Sequence, residues 1–494
     1  MTAITSPHPS AGPPERPERP ERPERPVRWV EDGPGARAQP PPLPRVTPSW
    51  WRDTSGAALW GLLLIVTALW VHGGGVQEVG SIGGFLTSFG RLTGLIASAL
   101  LLVQVALMAR IPWFEKAWGQ DELVRSHRLI GFTSFNLMVA HIVLITLGYA
   151  VGTPDGLWAT IVDFTVNYPG MVLALAGTAA LLMVVVTSLR AARSRLRYES
   201  WHLIHLYAYL GAGLALPHQL WAGQEFLAST AATIFWWSAY AGCAAAVLIW
   251  RVAVPIKRSR DARLRVVEVR AEAPDVTTVT VRGRRLERLG AQGGQFFNWR
   301  FQDGPGWTRA NPYSLSAAPT GDTLRITVKD LGDGSARLAR LPIGTRVLIE
   351  GPYGRMHAGV RHHDKVLLMG AGIGIAPMRA ILESLPSVGV DVTILHRVSS
   401  RDDSVLGVEI QALAQERGAR YVLVTGHRIP DRASWLPQSA GHLGDVDALR
   451  QIVPDIVERD VYICGAEPWM AAAEHAVAAA GVPAASIHIE HFEY

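Results

Sequence analysis

The stretches RSHRLIGFTSFNLMVAH (residues 125–141) and YESWHLIHLYAYLGAGLALPH (residues 198–218) decide how this 494-residue chain is read. Both are apolar enough for a bilayer, yet each carries a pair of histidines: His127 with His141, and His205 with His218. Ionisable groups within a membrane are costly and mark function. A helix rises ~1.5 Å per residue, so the fourteen residues from His127 to His141 span ~21 Å, near four whole turns, and the two rings share a face. The thirteen residues from His205 to His218 leave an ideal helix off a common face, but Gly211, Gly213 and Pro217 lie between them and proline bends helices. His202, one turn from His205, competes with it. With the two helices parallel, His127 matches His205 in depth and His141 matches His218. That arrangement suits two haems stacked across a membrane; the bland alternative is four hydrogen-bonded packing histidines.

Hydrophobic residues make up 49% of the chain and charged ones 18%. Six spans are expected, near 54–72, 84–108, 127–150, 169–189, 202–221 and 228–250, each near the ~20 residues a hydrocarbon core requires. One set of connections carries Arg110, Lys116, Arg125 and Arg128, then Arg190, Arg193, Arg195 and Arg197, then Arg251, Lys257, Arg258 and Arg260. The opposite connections contain no Lys or Arg. The basic side is therefore read as cytoplasmic, with both termini on it, in a multi-pass protein of the cell membrane. These loops account for the net charge of +5 without nucleic acid as a partner. The two cysteines, Cys243 and Cys464, are too few for a cysteine-ligated iron–sulfur cluster. Residues 1–50, with Pro-Glu-Arg triplets starting at Pro14, Pro17, Pro20 and Pro23, are expected to be a disordered cytoplasmic tail and no signal peptide.

From about Ala262 the pattern changes to short β-rich runs (RLRVVEV, VTTVTV, QFFNWRF, LRITVK, TRVLIE) separated by turn residues, the mark of a small antiparallel barrel. KVLLMG, a glycine-rich turn, a helical stretch and DVTILHR then open a parallel α/β sheet. Short motifs follow in order: Asn311-Pro312-Tyr313-Ser314-Leu315-Ser316; Gly332-Asp333-Gly334-Ser335; Gly351-Pro352-Tyr353-Gly354; Gly370 to Pro377; Cys464-Gly465-Ala466-Glu467-Pro468; and the terminal Glu490-His491-Phe492-Glu493-Tyr494. In Gly370–Pro377 the glycines let a pyrophosphate approach backbone N–H groups at a helix start.

The helical half resembles the ferric-reductase-type transmembrane domain shared by ferric reductases and NADPH oxidases, through GRLTGL (90–95), RIPWFEKAWGQDELVRSHRLIGF (110–132) and the 198–218 stretch. The six motifs resemble the ferredoxin-NADP reductase superfamily across nearly all of 262–494. The fold this implies is multidomain: a six-helix transmembrane haem-binding bundle over 51–255, an antiparallel β-barrel FAD-binding domain over 260–358, and an α/β parallel-sheet NAD(P)-binding domain over 362–494. The resemblance implies two b-type haems on His127, His141, His205 and His218. Tyr313 would pack on the flavin or its ribityl chain, with Pro312 and Ser316 beside it, and Ser314 would hydrogen-bond near flavin N5. Gly332 and Ser335 would hold the FAD pyrophosphate. Gly370, Gly372, Gly374 and Pro377 would seat the dinucleotide, with Cys464, Gly465 and Pro468 lining the nicotinamide site. Glu490 and Phe492 fit the terminal Glu-x-aromatic pattern, Phe492 covering the flavin, with Tyr494 as rival. Asn311 stands where relatives carry Arg or His, so Arg309 or Lys329 would offset the FAD phosphates. Arg91 would pair with a haem propionate, help attract an anionic substrate, or be a plain interfacial arginine. Arg397 and Arg401, just past DVTILHR, favour NADPH over NADH.

The expected function is a membrane oxidoreductase that takes electrons from cytoplasmic NAD(P)H through FAD and two haems to an acceptor on the outer face. Chelated ferric iron is the first acceptor; oxygen, a quinone and a partner protein are the alternatives. A nucleotide-gated proton or ion pathway through the same histidines is the non-redox alternative.

Overall fold

The computed structural model describes residues 50–490, apart from 152, 155, 194, 197 and 228. Phe492 and Tyr494, expected at the flavin, lie outside the described residues, as does the proline-rich tail.

The N-terminal half is helical: α1 (Trp50–His72), α2 (Ile82–Leu107), α3 (Gln120–Ala150), α4 (Met171–Ser188), α5 (Tyr198–Ala222) and α6 (Thr230–Ala246), which runs on through a π-helical stretch to Ala262. Among the described residues five stretches are long and apolar enough to cross a membrane: Asp53–His72, Ile82–Leu107, Glu122–Ala150, Met171–Ser188 and Thr230–Ala262. The half is a multi-pass membrane region whose outer faces carry exposed Leu64, Val172, Ile234 and Leu248, as a surface against lipid requires. The expected span at 202–221 forms the 25-residue α5 but is not among the five. His202, His205, His218 and Gln219 lower its hydropathy: the residues that make it interesting are those that weaken its membrane signal.

Helix α2 packs along α3, and α4 along α5. Close approach of α4 and α5 depends on small residues, since a Cβ on Gly177 would lie 2.7 Å from the Gly211 carbonyl oxygen. Both histidine-bearing helices thus have a fixed neighbour.

The C-terminal half begins with two three-stranded antiparallel sheets, in the order β1–β2–β5 and β4–β3–β6. The strands are β1 (Arg265–Ala273), β2 (Val276–Arg282), β3 (Phe296–Phe301), β4 (Asn311–Ser314), β5 (Thr323–Lys329) and β6 (Val347–Tyr353). Alternation along β3 sends Phe297, Trp299 and Phe301 into one core shared with Val279, Val281, Leu324 and Ile326 of the other sheet. Burying each such side chain contributes about 1.5–3 kcal/mol. The sheets meet through single bridges, Arg265 with Arg346 and Leu315 with Ile326, and no closed barrel forms among the described residues. The strand runs were visible in the sequence; closure depends on long-range register, which was not.

A five-stranded parallel sheet follows, ordered β11–β10–β7–β8–β9. Its strands are β7 (Lys365–Ala371), β8 (Asp391–Val398), β9 (Arg420–Thr425), β10 (Asp460–Cys464) and β11 (Ile487–Ile489). Helices cover both faces, so Leu367, Leu368 and Met369 are all buried and the strand reads as a continuous apolar run. The chain builds outward from β7 to β9, then returns to lay β10 on the other side of β7. The order reverses between β7 and β10, where sheets of this type bind ligands beyond the strand ends.

Candidate functional site

All four candidate histidines line one cavity of about 1890 Å³ inside the helical half. His127 Nδ1 lies 3.1 Å from the Gln104 carbonyl oxygen, His141 Nδ1 2.8 Å from that of Gly90, and His218 Nδ1 2.7 Å from that of Ala215. A carbonyl only accepts, so each of these rings donates from Nδ1. His205 Nδ1 lies 3.3 Å from Ser188 Oγ, whose own hydrogen goes to the Val184 carbonyl at 2.6 Å, so here too the ring donates. In all four imidazoles the proton sits on Nδ1 and the Nε2 lone pair is left bare, the state a histidine needs to bind a metal, with its orientation set by the hydrogen bond. The rings of His127 and His205 are 6.0 Å apart between centroids. His202 also lines the cavity, but His205 is the ring that meets His127. A Cβ on Gly94 would lie 2.5 Å from His141 Nδ1, so the ring packs where only glycine leaves room.

The cavity is polar at both ends. Arg110, Arg125, Arg128 and Arg251 border it toward the C-terminal half, and it reaches Glu467 just beyond Cys464. At the far end Arg91 pairs with Glu225 at 2.9 Å and Glu78 at 3.0 Å, so its charge is already met by two carboxylates.

The two halves meet at Tyr353. Arg110 has a left-handed backbone (φ 64°), which disfavours a side-chain-bearing residue by roughly 1–2 kcal/mol. It is held there with its guanidinium 4.0 Å from the Tyr353 ring centroid and 2.8 Å from Glu115. Arg258 donates to the Gly351 carbonyl at 2.6 Å, and Ser259 to that of Ile349 at 2.8 Å. The helical half therefore grips the Gly351–Gly354 motif directly.

Asn311, Pro312, Tyr313 and Ser314 form β4, an edge strand, all partly exposed. The Asn311 carboxamide packs against Gly334, and the Tyr313 hydroxyl reaches the Gly334 carbonyl at 3.5 Å. Ser335 Oγ accepts from Leu331 N at 2.8 Å and donates to the Gly332 carbonyl at 2.9 Å, closing the turn. The strand and the turn thus share one edge. Two residues expected there are engaged elsewhere. Ser316 is fully buried, its hydroxyl accepting from Thr327 at 2.9 Å and Arg325 at 3.2 Å. Lys329 pairs with Asp275 at 3.1 Å on the surface.

Gly370, at the end of β7, stands in register with Cys464, at the end of β10. A tight turn, Gly372–Gly374, leads from β7 into α7 (Ile375–Ser384), which contains buried Pro377. Gly372 has φ 53°, and a Cβ on Gly374 would lie 2.2 Å from the Cys464 carbonyl oxygen, so the turn is pressed onto β10. Gly465 leads into α8 (Glu467–Ala479), whose second residue is the exposed Pro468. Glu490 is buried, and a Cβ on Gly354 would lie 2.2 Å from its carboxylate. Cys464, Glu490, Gly354 and Gly374 thus converge on one point.

Burial, with the Glu490 charge nearby, pushes the Cys464 thiol up from 9.0 to about 12. It is a neutral S–H at physiological pH. A raised folded value means that its contribution to stability is full below pH about 9 and is lost as pH climbs toward 12. Iodoacetamide at pH 8 should leave Cys464 unmodified in the native protein and alkylate it after unfolding, as read by peptide mass; rapid native alkylation would contradict a buried thiol.

Arg397 departs from expectation. It is buried and donates to the carbonyls of Val398 and His427, the latter at 3.2 Å, and burial lowers its pKa to about 10. Arg401 stays exposed on the turn beyond β8, and the adjacent Asp403 is engaged with Ser400 N at 3.0 Å. The Arg110–Tyr353 junction and the acceptors that orient the histidines were not read from the sequence; Gly90 and Gly94, in GRLTGL, were their only trace.

Residues 93–216 match the family described as ferric reductase like transmembrane component. Over 216 residues the chain is 35% identical to the ferredoxin reductase component of 3-ketosteroid-9-alpha-monooxygenase from Mycobacterium tuberculosis, covering 42% of this chain and 56% of that protein. It is 28% identical over 208 residues to a flavohemoprotein of Xylella fastidiosa, covering 41% of this chain and 51% of that one. A solved flavohem-like FAD/NAD binding domain of nitric oxide dioxygenase from Vibrio cholerae aligns with TM-score 0.36 and 25% identity, covering 47% of this chain and 99% of that one. The chain spans about half the length of the curated relatives named here. The chain thus combines similarity to a ferric reductase like transmembrane component with similarity to ferredoxin reductase components, which is the likeness of a membrane oxidoreductase.

Proposed function

We propose that this protein carries electrons from NAD(P)H across the cell membrane to an acceptor on the outer face, with chelated ferric iron as that acceptor. The observation that carries the reading is the four imidazoles on one cavity, each with Nδ1 engaged and Nε2 bare. The His127 and His205 rings, 6.0 Å apart between centroids, stand close enough for one iron to reach both. His127 with His205 would hold one b-type haem and His141 with His218 the other, and α5 would be a sixth span. The Lys- and Arg-rich connections make the C-terminal half and both termini cytoplasmic in this reading. Residues 51–255, 260–358 and 362–494 are then the haem, FAD and NAD(P) domains.

On the flavin side, Tyr313 and Ser314 on the β4 edge, with Asn311 and Pro312, would face the ring system, and the Gly332–Ser335 turn would present its backbone to the pyrophosphate. Gly370, Gly372, Gly374 and Pro377 would seat the dinucleotide, and Cys464, Gly465, Pro468 and Glu490 would bound the nicotinamide, Cys464 as a neutral thiol. Bound FAD supplies the exchange of a two-electron hydride for single electrons, and bis-histidine haems supply their relay. Arg110 on Tyr353 would fix the flavin module against the basic end of the cavity. Losing that contact, worth about 0.5–2 kcal/mol, corresponds to a roughly two- to thirtyfold change. Arg110→Ala should therefore slow NADPH-driven haem reduction by such a factor in stopped-flow absorbance, while ferricyanide reduction by the module is unchanged. Equal loss in both assays would mean that the junction does not set this step.

With Arg397 engaged by carbonyls, the 2′-phosphate reading rests on Arg401. An exposed charged contact gives the lower part of the usual 1.5–3 kcal/mol for such hydrogen bonds. Arg401→Ala should raise the NADPH KM up to about tenfold and leave NADH use unchanged. Equal losses with both nucleotides would remove Arg401 from that role.

Rates of NADPH oxidation with ferric chelate, oxygen and a soluble quinone test the acceptor. Fastest turnover with ferric chelate is expected; oxygen outpacing it would give a superoxide-forming oxidase. A second reading, an electron-transfer subunit for a protein partner, is favoured by the curated relatives named as components of monooxygenases. It predicts slow turnover with all three small acceptors.

A further inference from the structure

Away from the nicotinamide site, at the opposite end of β10, lies a group that the proposed electron path does not use. Asp460 opens β10 and is fully buried. Its Oδ2 accepts from the backbone N–H groups of His362 and His363, at 2.7 and 2.6 Å, which fixes the carboxylate. Its Oδ1 points instead at two imidazoles: His488 Nε2 at 2.8 Å and His362 Nδ1 at 3.6 Å. His362 Nδ1 is a buried atom without a hydrogen-bond partner, since 3.6 Å is too long for one. The two rings lie nearly parallel, 8° apart, with centroids 6.4 Å apart. The three donor atoms all fall within 4.8 Å of one another. A fold brace explains the Asp460–His488 bond. It does not explain why a second imidazole turns a bare buried nitrogen onto the same oxygen.

We propose that His362, Asp460 and His488 form a site for a divalent transition-metal ion of the zinc class. Two imidazoles and one carboxylate are a donor set that such ions take, with remaining positions left to water. His362 is about one-third exposed, which gives an ion a way in, while Asp460 and His488 are buried. Ligands at about 2.0–2.2 Å from an ion stand roughly 3–3.5 Å from one another, so the 2.8 Å His488–Asp460 contact would open and the 3.6 Å His362–Asp460 one would hold or close slightly. The site has a mechanical consequence. His362 belongs to the connection between β6 and β7, and His488 lies on β11, two residues before Glu490. A bound ion would tie that connection to the strand leading to the nicotinamide site.

The test uses the full-length protein with its own cofactors, stripped of loose metal with EDTA and then titrated with Zn2+ by calorimetry. One Zn2+ per chain and a rise in Tm on binding are expected, since an ion that binds only the folded state stabilises it. His362→Ala, at a partly exposed position, should weaken binding by more than about tenfold, as loss of a supporting group at a metal site already does, and abolish the Tm shift. His363→Ala, whose ring contacts Ser486, should bind Zn2+ like the parent protein. No binding by the parent protein, or unchanged binding by His362→Ala, would overturn the site.

Discussion

His141→Ala is expected to yield a protein with half the haem of the parent and no electron transfer to the proposed outer acceptor, while NADPH still reduces ferricyanide at the flavin. The reasoning is local. The bare Nε2 of His141 is one of two nitrogens available to the outer group, and its ring is held by the Gly90 carbonyl at 2.8 Å. Alanine removes the ligand and one donor to that carbonyl, which keeps the Thr93 hydroxyl at 2.9 Å. The His127–His205 pair lies fourteen and thirteen residues away along α3 and α5, on the order of 20 Å, so the inner haem should remain and still be reduced by NADPH. Pyridine haemochrome content and anaerobic difference spectra measure both. Full haem content in the variant would remove His141 as a ligand, and loss of both haems would show that the pairs do not bind independently. Gly94→Leu should copy this phenotype with His141 intact, because its Cβ would lie 2.5 Å from the His141 ring.

Gly374→Val is expected to abolish most NAD(P)H oxidation without touching haem content. The β7 turn and the end of β10 are pressed together so closely that a Cβ at 374 would stand 2.2 Å from the Cys464 carbonyl oxygen, and backbone cannot swing aside as a long side chain can. Overpacking costs about 1–3 kcal/mol, and here it would fall on the surface proposed to hold the dinucleotide. Hydride transfer should drop roughly ten- to a hundredfold, seen as slow flavin bleaching in stopped flow. Dithionite, which bypasses the nucleotide, should still reduce the haems fully. Normal flavin bleaching would mean that the turn plays no part in nucleotide binding.

Features with local periodicity were legible in the sequence. The histidine spacing on α3 follows from helical rise, and the strand, glycine turn and helix over 365–384 form as their pattern requires. Features made by contacts between distant segments were not. Nothing near Arg110 announces Tyr353, and nothing near His205 announces Ser188. Ser316, Lys329 and Arg397 illustrate the limit from the other side. Each stands at a motif position where a ligand contact was expected, and each is drawn into a contact with Thr327, Asp275 or the Val398 and His427 carbonyls. Motif spacing gives a position along the chain; side-chain direction is set by the polar atoms around it. Helix α5 shows the same trade, its imidazoles lowering the hydropathy by which a span is recognised.

The most direct measurement is a reduced-minus-oxidised absorbance spectrum of the purified full-length protein, with NADPH added without oxygen. Sharp b-type haem bands that grow with NADPH, at two haems per chain, are the expected result. A protein that retains its fold and its flavin but has no haem absorbance would contradict a transmembrane electron path, and would leave the four histidines as packing residues or a route for protons.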